Sequence, residues 1–310
     1  MAEGPIERIV RDTGVHDLVE VLAERLAPTD LQSLLLEVYR RRVARSSPAD
    51  LLARHEENRF TRPSALDPNA ITWFEQLVWS LLPDGYRAIE LSPLCPLGTN
   101  SVVATVDQNK VISTIRNTEA VADSTNVLAL ECAIRRKRLL HDPGRRSEPV
   151  RLVSSQRQVR AQAFGGPRTS AHFRIVGLAA AGRGEGSLTF EARALSEMIG
   201  YLVSLVERAR PDWGIRVALT DLADRPDTLD RAVLVPLDER FPDAALGMDP
   251  DRASGRGYYV DACYKIFGTD RRGTEIEVAD GGCTTWTRQL LSDDGERLVI
   301  GGLGVERVLA

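Results

Sequence analysis

The sequence predicts an α+β fold: an antiparallel sheet flanked by helices, with a helical extension at the N-terminus. Three observations predict it. Residues 17–55 read as helices, with Leu31, Leu34, Leu35 and Val38 at helical spacing. The strand-like runs "RLVSSQRQVRAQAF" and "HFRIVGLAAAGR" are joined by "GGPRTSA", whose glycines and proline mark the loop of a long antiparallel hairpin. Beyond that hairpin, strands and helices mix without the regular alternation that a parallel sheet needs.

Taken in order, "TDLQ" (Thr29 to Gln32) has the form of a capping box opening a helix, and "RRRVARSSPAD" breaks into a new start at Pro48. Residues 1–62 are therefore expected as a helical extension, the basic run 40–45 being its solvated face, and residues 63–310 as the main domain. That domain opens on a helix with Asp67 as N-cap, Pro68 as first residue, and Ile71, Phe74, Leu77, Val78 and Leu81 along one side. "YRAIELSP" follows as a strand closed by Pro93. "STNVLALECAIRRKRLL" is a helix with Val127, Leu130 and Ile134 on its apolar side and a basic end that suits a C-terminus. After the hairpin come a helix around Leu195 to Arg208 and strands at "GIRVALTDL", "GYYVDACYKIF" and "GTEIEVADGG". The chain closes on "VIGGLGVERVLA", read as a glycine-framed turn that carries one guanidinium into a site.

Composition narrows the class. With 310 residues and 43% hydrophobic content the chain can bury a core, and no apolar run approaches the ~20 residues of a membrane span. The first residues lack a signal peptide's apolar stretch, so a cytoplasmic protein without a membrane partner is expected. Four cysteines without CxxC pairing argue for reduced thiols, and a net charge of −4 argues against a surface built for nucleic acid.

The candidate chemistry is cationic. Side chains alternate along a strand, so in "QVRAQAF" Arg160 and Gln162 share one face while Val159, Ala161 and Ala163 share the other. An arginine on a rigid strand suits phosphate oxygens, because its planar fork donates bidentate bonds and keeps its charge. Arg168 in the hairpin loop and Arg307 at the glycine-framed end would complete a cage for a triphosphate and offset charge on departing pyrophosphate. The competing reading pairs each arginine with one of the 44 acids.

A helix and a proline-ended strand, a strand-loop-strand with an arginine, and "GLGVER" at the end resemble motifs 1, 2 and 3 of class II aminoacyl-tRNA synthetases over residues 68–310. The resemblance is greatest to histidyl-tRNA synthetase and to the regulatory subunit of ATP phosphoribosyltransferase. It implies ATP held by Arg160, Gln162, Arg168 and Arg307, with Arg160 and Arg307 catalytic, Mg²⁺ on the phosphates, and a homodimer through motif 1. "VADSTNVLALE" resembles the segment that holds the substrate's α-amino group, which places Asp123 and Thr125 there; Asp123 is equally suited to capping the helix. "RGYYVDACYKIF" resembles a pocket strand offering Arg256, Tyr258 and Tyr259, and "ADGGCTTW" puts Cys283 in the pocket loop. Glu191 is a carboxylate to consider for Mg²⁺.

Departures from that pattern bear on the substrate. Gln162 stands for the motif 2 glutamate, Ile175 for a glutamine and Ala179 for a second glutamate, so polar partners for histidine and ATP are missing and another amino acid is expected. Only Val308, Leu309 and Ala310 follow motif 3, which leaves no anticodon-reading domain in this sequence. The expected function is an ATP-dependent ligase that forms an aminoacyl adenylate outside translation, its acceptor a small-molecule amine, a carrier protein or tRNA. The alternative is an inactive paralogue that binds an amino acid as a regulatory subunit. Zinc shared by Cys132 and Cys283 is a weaker idea, for no third ligand stands at recognisable spacing, and no metal ligands are assigned.

Overall fold

The computed structural model describes residues 4–162, 170–255 and 257–310. The chain forms two compact units, one holding the segment up to Asn58 with Ser113–Thr118, the other Arg59–Ile112 and Glu119–Ala310. The first unit carries α1 (Pro5–Thr13), α2 (Leu18–Glu20) continued by a π turn, α3 (Pro28–Val43) and α4 (Pro48–Glu57). Proline opens three of these helices, where its missing N–H costs nothing. Ser47 and Asp50 form a capping box on α4. The box expected in "TDLQ" does not form: α3 starts at Pro28 behind Ala27, so Thr29 already lies inside the first turn. None of these helices buries a residue.

From Arg59 onward the elements are α5 (Pro68–Ser80), β1 (Arg87–Ala88), β2 (Leu94–Pro96), β3 (Thr118–Ala120), α6 (Ser124–Leu140), β4 (Val150–Val159), β5 (His172–Arg183), α7 (Thr189–Ala209), β6 (Gly214–Asp221), α8 (Pro226–Leu229), α9 (Val235–Arg240), β7 (Ala245–Met248), β8 (Val260–Thr269), β9 (Glu275–Thr284), α10 (Trp286–Leu291), β10 (Glu296–Gly304) and α11 (Val305–Leu309). The main sheet has strand order β1-β4-β5-β10-β9-β8-β6-β7, antiparallel except where β1 meets β4 and β6 meets β7. The predicted hairpin forms with Val159 opposite His172. The strand expected in "YRAIELSP" shrinks to two residues on the sheet edge, extended by one bond from Ile89 N–H to Val153 O; Pro93 has no donor to continue it. The terminal "GLGVER" is not a free turn. It is the end of β10 running directly into α11.

Alternation along β10 sends Val299 and Leu303 to one face of the sheet and Leu298 and Ile300 to the other. The first face is covered by α7, apolar over most of its 21 residues, with Phe74 and Val78 of α5 beside it. The second is covered by α6, whose Leu128, Ala129 and Cys132 pack on Leu152, Ala179 and Ala181. Each large aliphatic side chain fully buried in these layers contributes about 1.5–3 kcal/mol. α6 is further pinned near its C-terminal end. Arg136 and Glu296, both fully buried, share two 2.8 Å bonds, and Arg136 also donates to the carbonyls of Arg146 and Glu148. Those extra partners satisfy a guanidinium that would otherwise be costly to bury. With its far end anchored, α6 presents its N-terminus to a cavity on the same face of the sheet.

Candidate active site

The cavity encloses about 460 Å³, within the ~300–1,000 Å³ range of small-molecule sites. Its floor is the even-numbered side of β10 at Ile300, Gly302 and Gly304, beside Ile175 of β5 and Asp280 of β9. Glycine is needed in this floor. Gly177 pairs with Gly302, and a Cβ on Gly177 would fall 2.5 Å from Ser124 Oγ, so only glycine lets the start of α6 sit down on the sheet.

Asp123 caps α6: its Oδ1 accepts from Thr125 N–H at 3.0 Å and from the Thr125 hydroxyl at 2.7 Å. Its Oδ2 accepts from Arg160 Nη2 at 3.0 Å. The two roles left open by the sequence are therefore compatible, because capping uses one oxygen and leaves the other turned toward a cation. Arg160 is the first residue past β4, where its N–H still bonds Ala171 O at 2.8 Å and so continues the hairpin ladder. Its Nε donates to Ala122 O at 2.8 Å, and its guanidinium lies 5.1 Å from the Phe173 ring centroid. About 29% of the Arg160 side chain remains exposed, so the group is held without being sealed.

Arg307 reaches the other end of the floor from α11. Its Nη1 donates to Glu277 O at 2.7 Å and lies 3.3 Å from Glu277 Oε1, while Lys265 Nζ is 2.6 Å from Glu277 Oε2. The neighbouring Glu306 accepts from Arg174 N–H at 2.8 Å. Gln162 lines the cavity beyond β4, and Lys110 lies nearby, since Ala161 N–H donates to its carbonyl at 3.0 Å.

Tyr258 and Tyr259 form a third wall, edge to face at 4.9 Å, with Tyr258 also edge-on to Trp286 at 5.3 Å. Burial raises both hydroxyl pKa values, with the Asp123 and Asp280 carboxylates adding to the effect, so both stay protonated. Asp280 takes Arg252 Nη2 on both oxygens, at 3.0 and 3.1 Å. Burial pushes its carboxyl up, opposed in part by that guanidinium.

Seven of the residues chosen from the sequence thus line one cavity: Asp123, Thr125, Arg160, Gln162, Tyr258, Tyr259 and Arg307. Arg168 and Arg256 lie outside the described residues. Cys283 does not reach the cavity: paired with Val299 on β9, it faces α7 and is buried in that core, where burial raises its thiol pKa. Cys132 sits in the core on the opposite face, so the two thiols cannot share a zinc ion. Glu191 is buried on α7, 2.9 Å from Arg297 Nε, on the face away from the cavity, and is not placed to meet Mg²⁺ there. Among the described residues no group of three His, Cys, Asp or Glu side chains is arranged to hold a metal. Ile175 lines the floor as expected of a lost polar partner, whereas Ala179 is covered by α6. Sequence reasoning missed Asn100, Asn126, Phe173 and Asp280. Phe173 and Asn126 stand inside stretches already quoted, in "HFRI" and beside Thr125; Asn100 lies in a segment without periodicity.

No protein-family model and no curated protein sequence matches the chain. Solved structures do. Apo histidyl-tRNA synthetase from S. aureus superposes with a TM-score of 0.57 at 15% identity, over 80% of this chain and 67% of that one. A structure described as the RNA binding domain of threonyl-tRNA synthetase from Cryptosporidium parvum gives 0.55 at 12% identity, over 77% of this chain and 62% of the other, so this chain spans less than two thirds of it. An ATP phosphoribosyltransferase regulatory subunit/histidyl-tRNA synthetase from Bacillus halodurans gives 0.54 at 16% identity, over 82% of each. Among the described residues no helix is long and apolar enough to cross a membrane. At these identities the likeness speaks for architecture alone: the chain has the fold of a class II aminoacyl-tRNA synthetase catalytic core.

Proposed function

We propose that the protein is an ATP-dependent ligase that activates an amino acid other than histidine as its adenylate. The observation that carries this reading is the pairing of Asp123 with Arg160 in the same cavity as Arg307. A carboxylate suited to an ammonium and two guanidinium groups suited to phosphate thus share one glycine-floored cavity, which supports the reading. The amino group would bind at Asp123 and Thr125, and Arg160 would turn its fork to the α-phosphate while Arg307 holds the nucleotide's distal phosphates. A carboxylate oxygen of the amino acid attacks the α-phosphorus as the bond to the β-phosphate's bridging oxygen breaks, giving aminoacyl adenylate and pyrophosphate. Positioning and charge stabilisation supply the rate, since no covalent step falls to the protein. Mg²⁺ would supply further neutralisation on the phosphates; the described side chains offer it no dedicated cluster.

A second reading, a regulatory subunit that binds an amino acid, is favoured by Ile175 in the floor and by Gln162 in place of a carboxylate. Calorimetric titration of the wild type and two variants tests the ligase. Arg307→Ala should weaken ATP at least tenfold, while Asp123→Asn should weaken the amino acid and leave ATP within threefold. Wild type that binds an amino acid but no ATP would overturn the ligase and leave the regulatory subunit.

A further inference from the structure

A chain of buried amides runs from the small sheet to the start of α6. Glu119 on β3 is fully buried and takes four donors: Gly98 N–H at 3.0 Å, Asn100 N–H at 2.8 Å, Asn100 Nδ2 at 2.7 Å and Gln108 Nε2 at 2.8 Å. Burial disfavours the charge of Glu119, but those hydrogen bonds outweigh it and hold the carboxyl below its ordinary pKa. A carboxylate can only accept, so the face of Asn100 turned to Glu119 must be its NH₂. Asn100 Oδ1 is then left to accept, and it takes Asn126 Nδ2 at 2.9 Å. The polarity passes on once more. Asn126 has its NH₂ committed and its Oδ1 left over, buried and without a partner.

Asn100 and Asn126 are themselves almost entirely buried, and both line the cavity beside Asp123 and Thr125. Among the described residues, two that line the cavity carry a buried side-chain polar atom without a hydrogen bond, Asn126 and Glu306. Glu306 Oε1 has Arg157 Nη1 at 3.8 Å to compensate its charge. Among the described residues Asn126 Oδ1 has no partner, and an unsatisfied buried carbonyl is costly, a cost removed when a ligand supplies the donor.

We propose that Asn126 is a specificity-determining residue, and that the amino acid taken by this cavity carries an N–H or O–H donor on its side chain, received by Asn126 Oδ1. Glu119 and Asn100 are positioning residues that fix which end of the Asn126 amide the ligand meets. The inference rests on the amino-acid-binding reading above, but not on adenylation. Asp280, whose side chain is about a third exposed, adds a second acceptor to the same cavity. Discrimination of this kind is steep, because an analogue lacking the donor leaves the acceptor unpaired.

The test is calorimetric titration of the full chain with pairs of amino acids matched in size, one with a donor and one without: threonine against valine, glutamine against methionine, lysine against norleucine. The expected result is that the tightest ligand carries a side-chain donor and exceeds its apolar match at least tenfold. Asn126→Leu should bring that ratio to within threefold of one. Glu119→Gln can donate back to Asn100 and let the relay turn over, so it should favour ligands with side-chain acceptors; a purely structural role would lower all ligands equally. A wild-type preference for the apolar member overturns the inference, as does an equal loss on every ligand in Asn126→Leu, which would put the contact at the α-ammonium. Donor-selective binding without adenylation leaves the inference standing and removes the ligase. Adenylation of an aliphatic amino acid does the reverse, and no binding of any amino acid removes both.

Discussion

Replacing Arg160 by alanine removes two bonds from the start of α6 together with one cation from the cavity, and the two losses differ in size. For stability, the lost groups are an Nε bond to Ala122 O at 2.8 Å and an Nη2 bond to Asp123 at 3.0 Å. The pair is partly exposed, with 29% of the arginine and 25% of the aspartate side chain open to solvent, so screening reduces its worth to about 1 kcal/mol. Asp123 keeps both bonds from Thr125 and still caps the helix. A fold of this size should therefore lose about 2–4 °C in Tm. For catalysis, a fixed donor aimed at developing charge is worth about 2–4 kcal/mol, a fall of roughly 30- to 1,000-fold in pyrophosphate exchange. Arg160→Lys should not restore exchange, because an ammonium cannot reproduce the fork. Melting and exchange measured on the same preparation decide the matter. Exchange within threefold of wild type in Arg160→Ala, alongside a Tm loss above 10 °C, would show that Arg160 is a clamp for α6 and no more.

Gly177→Ala should cost about 1–3 kcal/mol and weaken amino-acid binding as well, because the new methyl meets Ser124 Oγ at 2.5 Å and must lift the start of α6; an unchanged melting midpoint would contradict the packing described. Glu119 is held below its ordinary pKa when folded, so its contribution is complete above the unfolded carboxyl value and is lost as pH falls through the folded one. Glu119→Gln should accordingly flatten the acid limb of a stability-against-pH curve, and an acid limb identical to wild type would refute that. α5 leaves Trp73 and Trp79 exposed, and we expect a homodimer through this helix that Trp73→Arg splits. Light scattering showing a 34.1 kDa monomer for the wild type at micromolar concentration would remove that expectation.

How much of this could be read from sequence depended on whether a local rule sufficed. α5, α6 and the β4–β5 pairing were legible because capping aspartates, a first-turn proline and two strand-like runs each act locally, but the buried side of α6 was misread: Leu128, Ala129 and Cys132 face the sheet, while Ile134, expected on the apolar side, is exposed. Arg160 and Gln162 do line one cavity, but not as alternating strand residues: β4 ends at Val159, and both lie beyond it. The face of Cys283 was not legible, because it follows from pairing with Val299 and from irregular register between β8 and β9, neither of which the local sequence states. Glu191 looked available as a carboxylate only because Arg297, more than a hundred residues away, could not be seen beside it. The Glu119–Asn100–Asn126 relay joins an irregular segment, a three-residue strand and a helix start, so no periodicity announces it.

Amino-acid-dependent exchange of labelled pyrophosphate into ATP reads out directly the adenylation proposed for the cavity. Exchange is expected with at least one amino acid, histidine not being the best of them, and should be lost in Arg160→Ala. Wild-type protein that exchanges no label with any amino acid, while folded and able to bind one by calorimetry, would contradict the proposal.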